Sequence, residues 1–249
     1  MSNSENSTYE PMIQKKFEKT GKSKLGSYME LFVGKKSFFA LLKYEFLTTL
    51  FGECPGAAGI FLRSIFYKLL FKKVGKGVIF GKSITIRNPY KIIIGNNVII
   101  DDNCMLDAKG IDNKGIFIND GVYIGRNTIL SCKNGDIILD KNVNIGFNCE
   151  IYSLKSVQVG ENTLIAAYTY IIGGGHTSEE LDVPFRDQEK HAFGIKIGKN
   201  VWLGAKSVIM DGCDIGNNSI VGAAAVVTKS VPEFSIAVGI PAKVIKSRN

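Results

Sequence analysis

One period runs through most of this chain and leaves little choice of fold. Aliphatic residues recur every six positions in triplets: Ile94, Ile100, Leu106; Ile118, Ile124, Leu130; Leu139, Ile145, Ile151; Val159, Ile165, Ile171; Ile197, Leu203, Ile209; Ile215, Val221, Val227. Val74, Phe80 and Ile86 make a fainter triplet ahead of them. Two residues before the aliphatic positions sits a second set, small or β-branched, running from Val98 and Cys104 through Thr128, Cys149 and Thr163 to Ser219 and Ala225. Side chains two apart on one face mark a strand. A helix repeats every 3.6 residues or so, and it would not tolerate a glycine after the aliphatic residue at positions 95, 125, 146, 160, 198, 204, 216 and 222.

Glycine, and the asparagines two positions further on (Asn97, Asn127, Asn142, Asn162, Asn200, Asn218), accept left-handed backbone angles, so a corner is expected after each short strand. Three strands and three corners close one triangular coil. From the last aliphatic residue of a triplet to the first of the next the spacing is 8, 12, 9, 8, 26 and 6 residues. Six is the uninterrupted value, so every insertion leaves the prism at the same corner. The expectation is a mainly β chain, a parallel β-helix of six to seven triangular coils stacked about 4.8 Å apart.

The longest insertion protrudes as a loop at residues 173–194 and carries both histidines of the chain, His176 and His191. A loop of this length in a compact repeat is functional or disordered. His176 follows three glycines and is placed near the rod wall. An imidazole titrates near neutrality and suits a base, although a histidine in a polar loop is as often only a surface residue.

Positive charge is a property of the front of the chain. Residues 1–77 hold 13 lysines or arginines against 6 acidic residues, while the remainder is nearly balanced. Residues 1–26 are polar and are expected to form a disordered tail. Residues 27–73 read as helical: Phe39, Leu42, Phe46 and Leu50 fall on one face, Phe61, Ile65 and Leu69 on another, with Arg63, Lys68, Lys72 and Lys73 beside or opposite. Such a segment caps the open end of a β-helix or lies at a membrane surface. The five cysteines form no CxxC pair, which fits a reducing cytoplasm, with the inner membrane face as an alternative location. No cleavable leader is expected from the Ser/Asn-rich opening. The longest uncharged apolar run near the front, Cys54–Leu62, is 9 residues long, against ~20 for a spanning helix.

The stretch Ile197-Gly-Lys-Asn-Val-Trp-Leu-Gly-Ala205, continued by Ile215-Gly-Asn-Asn-Ser-Ile-Val-Gly-Ala223, Val227-Thr-Lys-Ser-Val-Pro232 and Gly239-Ile-Pro-Ala-Lys243, resembles the hexapeptide-repeat acyltransferases, among them galactoside, maltose, serine and polysaccharide O-acetyltransferases. The resemblance covers roughly residues 74–247. It implies a left-handed β-helix over 74–231, followed by a C-terminal segment at 232–249. It also implies an acetyl-CoA-dependent O-acetyltransferase acting on a sugar, polysaccharide or glycan precursor, with His176 as general base. Positions matching the family's coenzyme A site are Trp202, Ala205, Ala223, Thr228, Lys229 and Lys243, and the family forms homotrimers with sites between subunits.

One departure is visible. Where several sugar acetyltransferases carry an acceptor-binding asparagine, this chain has Gly146; Asn148 lies two residues away and is either an acceptor contact or a turn residue. A backbone N–H of the Gly204–Ala205 turn is the expected oxyanion donor, and Glu179, Glu180 or Asp182 is near enough in sequence to orient the imidazole. Alternatives are an N-acetyltransferase on an amino sugar and a non-catalytic β-helix scaffold. A γ-class carbonic anhydrase needs three histidine ligands where this chain has two histidines, so no metal is expected. Nucleic acid is not an expected partner, since the basic residues lack interleaved aromatics.

Overall fold

The structure is a computed structural model and describes residues 23–248. Three parallel sheets form the walls of a prism. The first wall holds seven strands, from Lys73–Val74 through Ile116–Ile118, Asp136–Leu139 and Ser156–Val159 to Asp214–Ile215. The second runs from Ile79–Phe80 through Leu164–Ile165, Trp202–Leu203 and Ile220–Val221 to Ser235–Gly239, and an antiparallel strand, Ala242–Ser247, closes it. The third comprises Thr85–Arg87, Met105–Asp107, Ile129–Cys132, Glu150–Ser153, Tyr170–Gly173, Val208–Ile209 and Val226–Val227. The chain visits the walls in rotation. Seven complete coils result, and a partial eighth begins where Val231 bridges to Ile215, so the coil count expected from the period is met.

Parallel pairing in register stacks equivalent residues. Ile100, Ile124, Ile145, Ile165, Leu203 and Val221 form one fully buried column inside the second wall. Each such side chain contributes about 1.5–3 kcal/mol through removal from water. The second inward set is buried as well, and its polar members are satisfied at the corners. Thr128 Oγ1 donates to Gly146 O at 3.0 Å, Thr163 Oγ1 to Gly198 O at 2.8 Å and Ser219 Oγ to Pro232 O at 2.7 Å. All five cysteines are free thiols, and burial pushes Cys104 up to about 12.

The corners divide the labour differently from the sequence reading. Asparagine takes the left-handed angle, with φ between 52° and 60° at Asn97, Asn127, Asn142, Asn162, Asn200 and Asn218, and two pairs bond along the rod, Asn142 Nδ2 to Asn162 at 3.0 Å and Asn200 Nδ2 to Asn218 at 2.8 Å. The glycines that follow the aliphatic residues, Gly95, Gly125, Gly160, Gly198, Gly204 and Gly216 among them, do not have positive φ. They are required by the next coil: a Cβ on Gly204 would lie 2.5 Å from Ala223 N.

Helices α1 (Lys24–Tyr28), α2 (Phe38–Phe51) and α3 (Gly56–Phe66) precede the rod. Helix α1 begins inside the stretch read as a tail; residues 1–22 of that stretch lie outside the described residues. Leu41, Tyr44, Leu47 and Phe51 of α2 pack inward, and Phe51 stacks on Phe66 at 4.4 Å. The open end of the first coil would expose strand carbonyls. Tyr44 Oη donates to Ile86 O at 2.6 Å and Arg63 Nε to Phe80 O at 3.0 Å, so the helices act as a cap. The stripes singled out in the sequence, Phe39-Leu42-Phe46-Leu50 and Phe61-Ile65-Leu69, are real but point away from the rod into solvent. Arg63, opposite the second stripe, is buried. No described helix is long and apolar enough to cross a membrane.

Candidate functional site

All long insertions leave where the third wall turns into the first, and because the coils are in register they stack on one another. Lys133 comes from one insertion, Leu154 from the next and the 173–194 loop from the one after. The backbone ties them together: Lys133 N donates to Ser153 O at 2.6 Å and Leu154 N to Gly173 O at 2.7 Å. Gly174 has φ +135°, and a Cβ there would meet Leu154 Cβ at 2.6 Å. A side chain at 174 is therefore excluded both by backbone angle and by contact.

Beyond Gly174 the loop forms a two-stranded antiparallel ribbon, with Gly175 opposite His191 and His176 opposite Lys190. Buried Gln188 holds the tip through Nε2 bonds to Glu180 O at 2.7 Å and Val183 O at 2.8 Å. Asp211, one coil above, receives the returning backbone from Phe193 N at 2.8 Å and Gly194 N at 2.9 Å. The ribbon is thus fixed at both ends, and this positions His176.

His176 lines a cleft of about 370 Å³ with Lys133, Tyr152, Leu154, Tyr170, Ile172 and Lys190. Its Nδ1 is buried and has no hydrogen-bond partner among the described residues. Glu179, Glu180 and Asp182 are exposed and none bonds to it. His191 packs instead against Gly175 and tilts onto Phe193 at 5.7 Å between rings. Lys133 lies over the Tyr152 ring at 5.4 Å, and burial, followed by the adjacent Lys109 ammonium, holds its own ammonium below the usual lysine value. Lys109 is itself buried and paired with fully buried Asp107 at 2.8 Å.

The residues matching a coenzyme A site do not gather in this cleft. Trp202 is 51% exposed on the outer face of the second wall. Ala205 and Ala223 stack at the corner between the second and third walls, where Ala224 N donates to Ala205 O at 2.8 Å. From there to the His176 corner is a strand crossing of about five residues, roughly 16 Å. Thr228 and Lys229 are exposed at the His176 corner, two coils above it, and Lys243 is exposed on the closing strand. In the Gly204–Ala205 turn the Gly204 N–H is committed to Val221 O at 2.7 Å, whereas the Ala205 N–H has no partner among the described residues. Asn148 has φ 55°, and its N–H donates to Arg126 O at 2.9 Å, so it occupies a corner like the other asparagines. Sequence reasoning missed Lys133, Tyr152, Tyr170 and Lys190. The available signal was that two outward wall positions just before the insertions carry tyrosine.

Two sequence patterns of known families match within the rod: "Bacterial transferase hexapeptide (six repeats)" over residues 194–229, and "Hexapeptide repeat of succinyl-transferase" over residues 137–172. The chain is 37% identical over 115 residues to galactoside O-acetyltransferase of Escherichia coli, covering 46% of this chain and 55% of that one. The match thus spans about half the length of that curated relative. It is 31% identical over 166 residues to the putative lipopolysaccharide biosynthesis O-acetyl transferase WbbJ of Escherichia coli, covering 64% and 83%. Among solved structures, AntD, an N-acyltransferase from Bacillus cereus in complex with dTDP and 3-hydroxybutyryl-CoA, superposes with a TM-score of 0.50 at 26% identity, covering 74% of this chain and 86% of that one. With its stacked six-residue rungs and a relative matched over most of its length, this chain belongs to the hexapeptide-repeat transferase family.

Proposed function

We propose that this protein transfers an acetyl group from coenzyme A to a hydroxyl of a sugar or glycan precursor, with His176 as the general base. The observation that carries the reading is His176 itself: an imidazole held on an anchored ribbon at the edge of a cleft large enough for a sugar. A thioester is already an activated acyl group, so no enzyme nucleophile is needed. The acceptor hydroxyl gives its proton to His176 as its oxygen attacks the carbonyl, and the imidazolium returns that proton to the departing sulfur. The free Ala205 N–H is the donor we assign to the developing oxyanion.

His176 and Ala205 lie at different corners of one prism, so the reading requires a second copy, as in a homotrimer. Exposed apolar side chains support this: Leu164 and Trp202 are stacked neighbours on the outer face of the second wall near the Ala205 corner, and Ile79 and Ile99 are exposed further down the same wall, beyond Asn144 and Tyr123. Leu164→Asp is expected to convert the assembly to monomers and to lower transfer at least a hundredfold, while monomer folding by circular dichroism is kept. Sedimentation velocity showing an unchanged assembly, or an active monomer, overturns the shared site.

The cleft lining carries two ammonium groups, Lys133 and Lys190, and no carboxylate. Acceptors bearing a carboxylate or phosphate are therefore favoured over neutral sugars. That preference fades as pH rises through the lowered value of Lys133. The test is an acceptor screen with labelled acetyl-CoA, read by mass, using wild type and His176→Ala side by side. Acylated products from acidic sugars, absent with the variant, support the reading; coenzyme A binding without any acylated product supports a non-catalytic scaffold. The likeness to an N-acyltransferase gives the screen a second arm, amino sugars, and exclusive labelling of nitrogen replaces O-transfer with N-transfer.

A further inference from the structure

The cap helices leave an apolar face for which the reaction has no use. Phe39 is 82% exposed, Phe61 64% and Phe46 61%, and Leu42, Leu50 and Leu69 are each at least half exposed. Monomeric proteins rarely leave so large a contiguous apolar surface without a purpose. The stripes of α2 and α3 form one surface, because Lys43 Nζ on α2 donates to Leu69 O just beyond α3 at 2.8 Å. Beneath them the opposite faces of both helices are occupied by the rod: Tyr44 and Arg63 bond to its first coil. The outer face is therefore not an alternative core.

The charges around this face are nearly all of one sign. Exposed Lys43, Lys68 and Lys72 stand on or beside it, and the one exposed carboxylate between residues 38 and 72 is Glu53, which accepts a hydrogen bond from Ser83 at 2.7 Å. Apolar rings flanked by lysines match the layering of a bilayer surface, with acyl chains below and anionic headgroups above. A second copy fits worse, since joining two such faces brings two cationic rims together. We propose that the outer face of α2 and α3 docks the protein peripherally on an anionic membrane, the phenylalanines entering the headgroup boundary and the lysines meeting phosphates. The rod axis then stands away from the bilayer, with the His176 corner several coils above it. The inference is independent of the acetyl-transfer reading.

The experiment uses the full chain and extruded vesicles of phosphatidylcholine, alone or mixed with phosphatidylglycerol, at low and high salt. Co-sedimentation with the mixed vesicles at low salt is expected, with weaker binding to phosphatidylcholine and partial release by salt. The triple variant Phe39→Ser, Phe46→Ser, Phe61→Ser is expected to bind at least tenfold more weakly. Lys68→Glu with Lys72→Glu is expected to weaken binding roughly thirtyfold at low salt. These residues are on the surface, and unchanged circular dichroism spectra and unfolding midpoints separate loss of docking from loss of fold. Three results overturn the proposal: protein left in the supernatant with mixed vesicles at low salt, variants that bind like wild type, or a vesicle-free assembly in sedimentation velocity that the triple serine variant halves in size.

Discussion

His176→Ala is expected to lower acetyl transfer by about 10²–10⁴-fold, the usual contribution of a positioned general base. The loss should fall on kcat, with KM for both substrates nearly unchanged, because in the proposed role the imidazole would act on the proton in flight rather than on ground-state binding. Nothing in the fold depends on this side chain: the ribbon is closed by backbone bonds, by Gln188 and by Asp211. The unfolding midpoint is therefore expected to stay where it is. Wild-type kcat in the variant removes His176 from the mechanism, and a coincident drop in midpoint reassigns it to structure.

The largest expected stability effect lies at the other end of the molecule. Arg63 is 2% exposed and has no carboxylate partner among the described residues; its guanidinium donates to Phe80 O at 3.0 Å, Phe51 O at 3.1 Å and Cys54 O at 2.6 Å. Phe51 O belongs to the last turn of α2, where carbonyls have no helical partner and the helix dipole favours a cation. One side chain thus closes a helix and seals the first coil. Arg63→Met keeps much of the volume, takes the guanidinium donor from Phe80 O and Cys54 O, and leaves Phe51 O with only the long bond from Cys54 N at 3.4 Å, at about 1–3 kcal/mol for each lost bond. A loss of roughly 3 kcal/mol or more is expected in urea unfolding. Faster amide exchange should be confined to the first coils, since each coil contacts only its neighbours. A change below about 1 kcal/mol would show that water replaces the guanidinium at no great cost.

The rod was legible in the sequence because its rule is local. A six-residue period with paired inward positions predicts each wall, and Ile145, Cys149 and Thr163 are buried as that rule requires. The glycines show where local reading stops. Gly204 follows an aliphatic residue at every level of description, yet its reason is an atom of Ala223 in the next coil, which only stacking reveals. The cap shows the same limit. Helix α2 carries two apolar faces, and the pattern could not say that Leu41, Tyr44 and Leu47 go inward while Phe39, Leu42 and Phe46 go out. At the cleft, His176 was visible through its loop, whereas Lys133 and Tyr152 reach it from insertions and strands that are distant in sequence and brought level by register.

That all departures from the repeat share one vertex has a consequence for how such a chain diversifies. Lengthening or exchanging the segments at 109–114, 133–135 or 177–189 remodels the rim around the imidazole without shifting a strand in the other two walls. Rim and scaffold are in this way uncoupled: changes at this vertex leave in place the second wall, where Leu164 and Trp202 form the face proposed to meet a second copy.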